Sequence, residues 1–178
     1  MNIFLLKDGR EVILREAVKS DAQDLINFYN AVGGETDFLS FGKNEFMATV
    51  DFEEKYLENI NNEVNSTLIL AIINDKIIGA ASINSSQKRK IKHVGTLGIV
   101  IKKAFCNMGL GKIFMHFLIE WAKSNSVTKK ITLIMRADNI FAKKLYEQMG
   151  FETEGILKNE NYETGKYYDC LSMGLILD

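Results

Sequence analysis

The chain has little of what marks a disulfide-bonded or nucleic-acid-binding protein. Its 178 residues include no proline, an absence that excludes no class of function, and only two cysteines, Cys106 and Cys170. These stand far apart and in no paired motif, which argues against a disulfide framework or a structural zinc site and is typical of a reducing compartment. The formal net charge of −1 provides no bulk attraction to nucleic acid or to an anionic membrane.

Long hydrophobic runs are also missing. No apolar stretch approaches the roughly 20 residues needed to cross a bilayer, and residues 1–7 lack the basic and long apolar regions of a signal peptide. We therefore expect a cytoplasmic protein with no membrane partner. The length favours a single domain over residues 1–178, large enough to bury about 70% of its unfolded surface without a metal or disulfide.

The most informative stretch is Gly109-Leu110-Gly111-Lys112. A β-rich run, 94–101, leads into it, and an amphipathic helix with apolar residues at steps of three and four leads out. Glycines allow a tight turn and a close approach to a ligand. A helix N-terminus offers free N–H groups and a positive dipole end, so this turn is predicted to bind a phosphate group. The ordinary alternative is a loop without a ligand.

Two common phosphate motifs do not fit this turn. A P-loop has Ser or Thr after its Gly-Lys pair and Gly five positions earlier, where this chain has Ile113 and Cys106. A dinucleotide fingerprint needs a third glycine where this chain has Phe114. The turn is therefore typical of neither a nucleotide hydrolase nor a nicotinamide-dependent dehydrogenase.

The remaining pattern predicts a mixed α/β protein. Hairpins are expected at residues 3–15 and 67–83, helices at 20–33, 52–60 and 139–149, a polar turn at 159–166, and further strands at 131–135, 151–157 and 167–177. The strand–helix–strand unit over residues 93–135 demands a right-handed crossover with locally parallel pairing. We expect helices on both faces of the sheet.

This order and two motifs resemble the GNAT superfamily of acyl-coenzyme A-dependent N-acetyltransferases. The first motif is residues 97–101 followed by 106–112, similar to the family's cofactor strand and its Arg/Gln-x-x-Gly-x-Gly/Ala pyrophosphate loop. The second is residues 139–151, similar to the family's Asn-x-x-Ala-x-x-Leu-Tyr-x-x-x-Gly-Phe segment. The resemblance implies a mixed sheet of about seven strands, about four flanking helices and a splayed strand pair that holds acetyl-CoA.

The resemblance also implies which residues hold the acetyl-CoA donor. They are Leu97, Ile99, Val100, Ile101, Cys106, Asn107, Met108, Gly109, Leu110, Gly111, Lys112, Asn139, Ala142, Lys144 and Tyr146. Cys106 stands where the family usually has Arg or Gln, so Lys112 or another nearby lysine is expected to supply the missing charge. A position before a helix N-terminus can lower a thiol pKa; the ordinary alternative is a small residue filling a loop. No metal is expected.

For catalysis the resemblance implies direct transfer to an amine without a covalent enzyme intermediate. Tyr146 matches the family's general acid, which protonates the departing thiolate; the alternative is that its ring only packs on the apolar face of its helix. The amine must lose a proton, and the candidate bases are His93, at the start of the cofactor strand, and Glu35, between the first two helices. A structural or surface role is the alternative for both.

The acceptor is the least specified partner. The leading prediction is the primary amine of a small molecule. A protein N-terminal acetyltransferase of the ribosomal-protein type would instead show an open groove beside Glu35, and a non-catalytic acyl-coenzyme A binding module would have no use for Tyr146. The superfamily often pairs through its C-terminal strands, so a homodimer is a further expectation.

Overall fold

The structure is a computed structural model that describes residues 2–177. Its strands are Asn2–Leu5 (β1), Glu11–Glu16 (β2), Thr67–Ile73 (β3), Lys76–Ser85 (β4), Val94–Ile101 (β5), Lys130–Arg136 (β6), Glu152–Glu163 (β7) and Lys166–Ile176 (β8). Its α-helices are Ala22–Val32 (α1), Val50–Asn61 (α2), Leu110–Ser124 (α3) and Ile140–Gln148 (α4). The strands form one sheet in the order β1-β2-β3-β4-β5-β6-β8-β7.

This architecture confirms the mixed α/β class and the four helices, with eight strands instead of about seven. The N-terminal hairpin contributes a fully paired edge strand, in register from Asn2 opposite Leu14 to Leu5 opposite Glu11. β5 and β6 pair in parallel, as the helical crossover between them demands, and the other neighbouring strands pair antiparallel. No helix among residues 2–177 is long and apolar enough to cross a membrane.

The polar turn expected at residues 159–166 is wrong in extent. β7 continues to Glu163, and the turn is the pair Thr164-Gly165, both with positive φ (47° and 85°). Asn159 lies instead at an irregularity of the ladder, where its N–H donates to the Asp169 carboxylate at 2.9 Å. The β7–β8 ribbon is largely solvated here, so polar residues occupy strand positions that alternation of hydrophobicity cannot reveal.

Apolar side chains are buried on both faces of the sheet. On one face α3 and α4 cover a core that includes Phe114, Leu118 and Leu133. On the other, α1 and α2 cover a core that includes Leu25 and Leu57. The helices therefore cover both faces, as expected from the crossover topology.

A gap between β5 and β6 is the feature that positions the site. The two strands pair only from Val94 opposite Lys130 to Thr96 opposite Thr132. Beyond this point β5 stays paired with β4 through Ile101, while β6 stays paired with β8. The strands therefore separate, and the β6-facing backbone groups of β5 are left open to another extended chain.

Candidate active site

The glycine turn (residues 109–112, the candidate anion seat) lies at the open end of this gap. Gly109 adopts a left-handed conformation (φ 90°) and is the N-cap of α3. The first intrahelical hydrogen bond runs from the Ile113 N–H to the Gly109 carbonyl at 3.1 Å. The N–H groups of residues 110–112 precede that bond, so they are the helix-end donors available to a phosphate.

The N-terminal hairpin lies against this loop, a contact that sequence reasoning missed. The Lys7 N–H donates to the Met108 carbonyl at 3.0 Å, and the Lys7 side chain passes within 3.6 Å of a Cβ built on Gly109. The Arg10 guanidinium stacks over the Phe105 ring at 4.6 Å. The hairpin thus brings two cations beside a loop that lacks the family's usual Arg or Gln.

Cys106 is an exposed, protonated thiol, not an activated one. Its Sγ lies 3.7 Å from the Lys102 carbonyl, to which the thiol donates a weak hydrogen bond. Partial desolvation, reinforced by the nearby Glu35 charge, raises the pKa of this thiol. The lowering that a helix N-terminus can produce is therefore absent, which supports the ordinary alternative of a small loop residue.

The residues of β5 next to the gap have open backbone N–H and C=O groups, while their side chains pack in the cores on the two faces of the sheet. Leu97 is 6% exposed in the α3-side core, and Ile99 and Ile101 pack at its edge. Val100 packs into the core on the opposite face. The open peptide groups of this strand are thus held rigidly from both sides.

Helix α4 lies across the gap from the glycine turn. Asn139 is its N-cap, accepting the Ala142 N–H through Oδ1 at 3.2 Å. A Cβ on Gly111 would come within 3.1 Å of Leu145, so the start of α3 and the middle of α4 meet closely. Lys144 is exposed on the outer face of α4. The arrangement brings Asn139, Ala142 and Tyr146 to the same side of the sheet as the anion seat.

Tyr146 is held as a neutral phenol. Its ring packs in the α3-side core with the ring of Phe151 at 5.8 Å. Burial raises its pKa to about 12, so the hydroxyl keeps its proton throughout the physiological range. No hydrogen bond within residues 2–177 engages that hydroxyl, which leaves it free to donate to a ligand in the gap.

On the other face of the sheet, the segment between α1 and α2 (residues 33–49, the α1–α2 segment) spans the gap. The Glu35 carboxylate accepts the Lys103 N–H at 2.7 Å, just after β5. Two residues on, the Asp37 carbonyl accepts from the Arg136 guanidinium at 2.8 Å, at the end of β6. The segment is therefore tied to both diverging strands and closes this end of the gap.

Arg136 organises that closure, and sequence reasoning missed it. Its side chain is 5% exposed and makes a bidentate pair with Asp138, at 3.0 and 2.7 Å. The guanidinium also stacks over Tyr168 of β8 and Phe38 of the α1–α2 segment. Burial of an arginine at a strand end beside two aromatic rings marks this role, and it appears only in the folded chain.

The structure separates the two candidate bases from each other. His93 is exposed and precedes β5 at the end where β5 and β6 still pair, roughly 13 Å of strand from Leu97. It does not join Tyr146 at the gap. Glu35 does reach the gap, but its carboxylate is occupied by the Lys103 N–H.

A second concavity lies outside this arrangement. A groove of about 760 Å³ runs between β1 and α3, with mostly apolar walls that include Phe4, Phe117 and Trp121. It borders the anion seat at Gly109 and Lys112 but adds no group to the gap. The gap, with its donors and phenol, is therefore the candidate active site. No group of three or more metal-binding side chains occurs among residues 2–177.

Comparisons with known proteins agree with this geometry. Residues 37–151 match the family model described as "Acetyltransferase (GNAT) family". A crystal structure of a GNAT-family acetyltransferase from Streptococcus pneumoniae is 33% identical, with a TM-score of 0.91 over 94% of this chain and 99% of that one. The L-amino acid N-acetyltransferase AaaT of Escherichia coli (strain K12) is 29% identical over 61% of this chain and 67% of its own length.

Further solved structures share the fold alone. A putative acetyltransferase from Salmonella typhimurium, solved with acetyl-CoA, is 18% identical with a TM-score of 0.80 over 94% of each chain. A ribosomal-protein-alanine N-acetyltransferase from Brucella melitensis is 24% identical with a TM-score of 0.78, covering 93% of this chain and 99% of that one.

A splayed parallel strand pair, a helix N-terminus with free N–H groups at one end and a partly buried phenol beside it agree with an acyl-coenzyme A-dependent transferase. The chain belongs to the GNAT family of acetyltransferases. It is an acetyl-CoA-dependent N-acetyltransferase, and acetyl-CoA is its acyl donor.

Proposed function

We propose that this enzyme transfers the acetyl group of acetyl-CoA to the primary amine of a small molecule, with free amino acids as the first acceptor class to test. The observation that carries the proposal is the closure of the acceptor side by the α1–α2 segment, tied to β5 through Glu35 and to β6 through Arg136. A closed end suits a compact acceptor, whereas a protein N-terminus needs an open groove. The E. coli relative, an L-amino acid N-acetyltransferase, supports the same class.

In this proposal the anion seat binds the pyrophosphate through the N–H groups of residues 110–112, aided by the charge of Lys7. The pantetheine arm lies in the gap as an added strand, paired with the open backbone of Leu97–Ile101. Asn139 and Ala142 face the arm from the start of α4. These contacts fix the thioester where a backbone N–H of β5 supports the oxygen as it gains charge.

Tyr146 is the proposed general acid. When the C–S bond of the tetrahedral intermediate breaks, the leaving thiolate needs a proton. A neutral phenol with an uncommitted hydroxyl supplies it, and the pKa of about 12 keeps that proton in place until the thiolate forms. The phenol then recovers a proton from solvent or from the new amide nitrogen.

The test is release of free coenzyme A thiol from acetyl-CoA by purified protein over a panel of amines. The panel holds L-amino acids, polyamines, aminoglycosides and a peptide with a free N-terminus, and the control variant is Tyr146→Phe. Turnover with a small amine, reduced at least 100-fold by Tyr146→Phe at unchanged acetyl-CoA affinity, supports the proposal. Turnover restricted to the peptide overturns the acceptor class, and binding without any turnover supports a non-catalytic module.

A further inference from the structure

Helix α2 carries a buried carboxylate that none of the roles above uses. Glu53 is 3% exposed, and no ion pair or side-chain hydrogen bond within residues 2–177 satisfies it. Burying a carboxylate without a hydrogen-bond or ion-pair partner is unfavourable, because its charged form loses its hydration. A carboxylate that stays buried despite this unfavourable desolvation is a candidate for a functional role.

A small part of the Glu53 side chain is exposed to solvent. The fully enclosed side-chain atoms without a partner in the described part of the chain are the hydroxyls of Thr67 and Thr128. The Glu53 oxygens are not among them, so its small exposed fraction includes the carboxylate. The group is thus desolvated but within reach of a ligand.

Phenols lie near this carboxylate. Burial raises the pKa of Tyr29 in α1 and of Tyr56 in α2, and the nearby charge of Glu53 adds to both shifts. Tyr29 also contacts Phe41 and Phe46 of the α1–α2 segment, with ring centroids 5.9 and 4.7 Å away. A carboxylate close to aromatic rings is a favourable environment for an alkylammonium ion. The surroundings of Glu53 therefore suit the charged form of a primary amine.

A chain of polar contacts connects this part of α2 to the cofactor strand. The Tyr56 hydroxyl donates to Asn84 Oδ1 at 2.8 Å, and Asn84 Nδ2 donates to the Ser82 hydroxyl at 3.0 Å. Ser82 is the register partner of Gly98 on β5, and a Cβ on Gly98 would lie 3.3 Å from the Ser82 hydroxyl. Gly98 lies two residues beyond the last β5–β6 pair, where the gap begins.

The direction of α2 brings Glu53 toward this same point. Tyr56 contacts β4 at Asn84, and Asn61, five residues later, donates to the Ala17 carbonyl beyond β2 at 2.9 Å. The helix therefore runs across the sheet from the β4 side toward β2. Glu53 precedes Tyr56 by nearly one turn, so it lies toward the β5 side of Tyr56.

We propose that the Glu53 carboxylate is the general base that takes a proton from the acceptor ammonium. Tyr146 belongs to the α3-side core and Glu53 packs under α2 on the opposite face of the sheet, so acid and base approach the gap from its two sides. This inference rests on the proposed function, because it requires an amine acceptor.

The protons balance as follows. The ammonium gives one proton to Glu53, and the freed nitrogen lone pair forms the C–N bond at the thioester carbonyl. The C–S bond breaks, and the thiolate takes the Tyr146 proton. The nitrogen loses its second proton as the amide forms, which restores Tyr146 through solvent. Glu53 releases its proton to water, so one proton leaves per turnover.

The test compares Glu53→Gln with Glu54→Gln, a neighbour on α2 whose carboxylate is partly exposed and lies 3.5 Å from Lys19. Glutamine keeps the shape of Glu53 but cannot accept the proton. We expect Glu53→Gln to lower kcat at least 100-fold and to remove the acidic limb of the pH–rate profile, with the acetyl-CoA dissociation constant within twofold of wild type. Glu54→Gln should retain the wild-type profile.

The two proposals fail in different ways. Wild-type turnover of small amines together with a wild-type pH profile in Glu53→Gln overturns the base assignment and leaves the proposed function standing. A wild-type enzyme that acetylates no small amine overturns the proposed function itself. Far-UV circular dichroism and acetyl-CoA binding show whether Glu53→Gln is folded. If it is not, the test passes to Glu53→Asp, which shortens the reach of the carboxylate by one methylene. Glu53→Asp should lower kcat and keep the acidic limb of the pH–rate profile, and full activity of this variant also counts against the assignment.

Discussion

The guanidinium of Arg136 lies 3.6 Å from the ring centroid of Tyr168 while it donates to the Asp37 carbonyl. One side chain thus joins β6, β8 and the α1–α2 segment. We expect Arg136→Lys to lose the bidentate pair with Asp138 and the stacking, and to lower the free energy of unfolding by about 2 kcal/mol. Because the segment covers the acceptor side, KM for the amine should rise at least fivefold.

Urea denaturation and steady-state kinetics measure these two effects. The matched control is Arg89→Lys, which changes an exposed arginine of a solvated loop and should alter neither quantity. A rise of KM for acetyl-CoA instead of the amine would show that Arg136 acts on the donor side.

The hydrogen bond from the Lys103 N–H to the Glu35 carboxylate gives a second prediction. Glu35→Gln keeps a carbonyl oxygen for this N–H, so kcat should stay within threefold of wild type. Glu35→Ala removes the acceptor of this exposed hydrogen bond and should destabilise the protein by about 0.5–1.5 kcal/mol. Thermal unfolding and turnover of both variants check this, and a 100-fold loss of kcat in Glu35→Gln would make Glu35 the base in place of Glu53.

Much of the fold could be predicted because its signals are local. The apolar period of three and four defines α3, and the Asn74-Asp75 turn between two β-rich runs defines the β3–β4 hairpin. The crossover between β5 and β6 fixes their parallel pairing from topology alone. The limits of β7 were missed because a solvated ribbon has no hydrophobic alternation to reveal its length.

The candidate site likewise combines residues that a local sequence pattern predicts with residues that only the packing reveals. The proposed anion seat is a consecutive stretch of chain, so the glycines of residues 109–111 are enough to predict it. Lys7, Glu53 and Arg136 come from three distant parts of the chain, and each acquires its role from burial or from a contact across the sheet. Residue type alone does not distinguish Glu53 from Glu54, its partly exposed neighbour; only the packing of α2 does.

The left-handed conformation of Gly109 leads to a third prediction. Gly109→Ala should weaken acetyl-CoA binding roughly 10-fold, since an L-residue at φ 90° costs about 1–3 kcal/mol and the loop can relax only by moving its N–H groups. Isothermal titration calorimetry measures the loss. Gly165→Ala is the matched control, because Gly165 has a φ of 85° with open space around it. That variant should lose stability and keep its affinity.

The position of Lys7 over the anion seat leads to a fourth. Lys7→Gln should raise the acetyl-CoA dissociation constant about three- to tenfold at low salt, and the difference from wild type should shrink at 0.5 M salt as screening increases. Lys88→Gln, in an exposed loop, should bind as wild type does. Equal affinity of the Lys7 variant at both salt concentrations would show that the backbone N–H groups hold the phosphates without it.

The buried carboxylate of Glu53 leads to a fifth prediction, on stability. Burial raises its pKa above the ordinary value that it has in the unfolded chain. Between those two pKa values the native state holds a proton that the unfolded state has lost, so stability falls as pH rises through this window and levels off above it. Glu53→Gln removes the titration and should keep the stability that the wild type loses.

At pH 4 wild type and Glu53→Gln should therefore unfold at similar temperatures, whereas at pH 8 the variant should unfold at a higher one, by about 2–4 °C for each kcal/mol of relieved burial cost. Calorimetry across this range measures the difference, with Glu54→Gln as control. A variant that is more stable at pH 8 and nearly inactive would show that the enzyme accepts an unfavourable burial because the reaction requires it. A constant difference at all pH values would mean that the pKa of Glu53 is the same in the folded and unfolded protein, which contradicts a desolvated carboxylate.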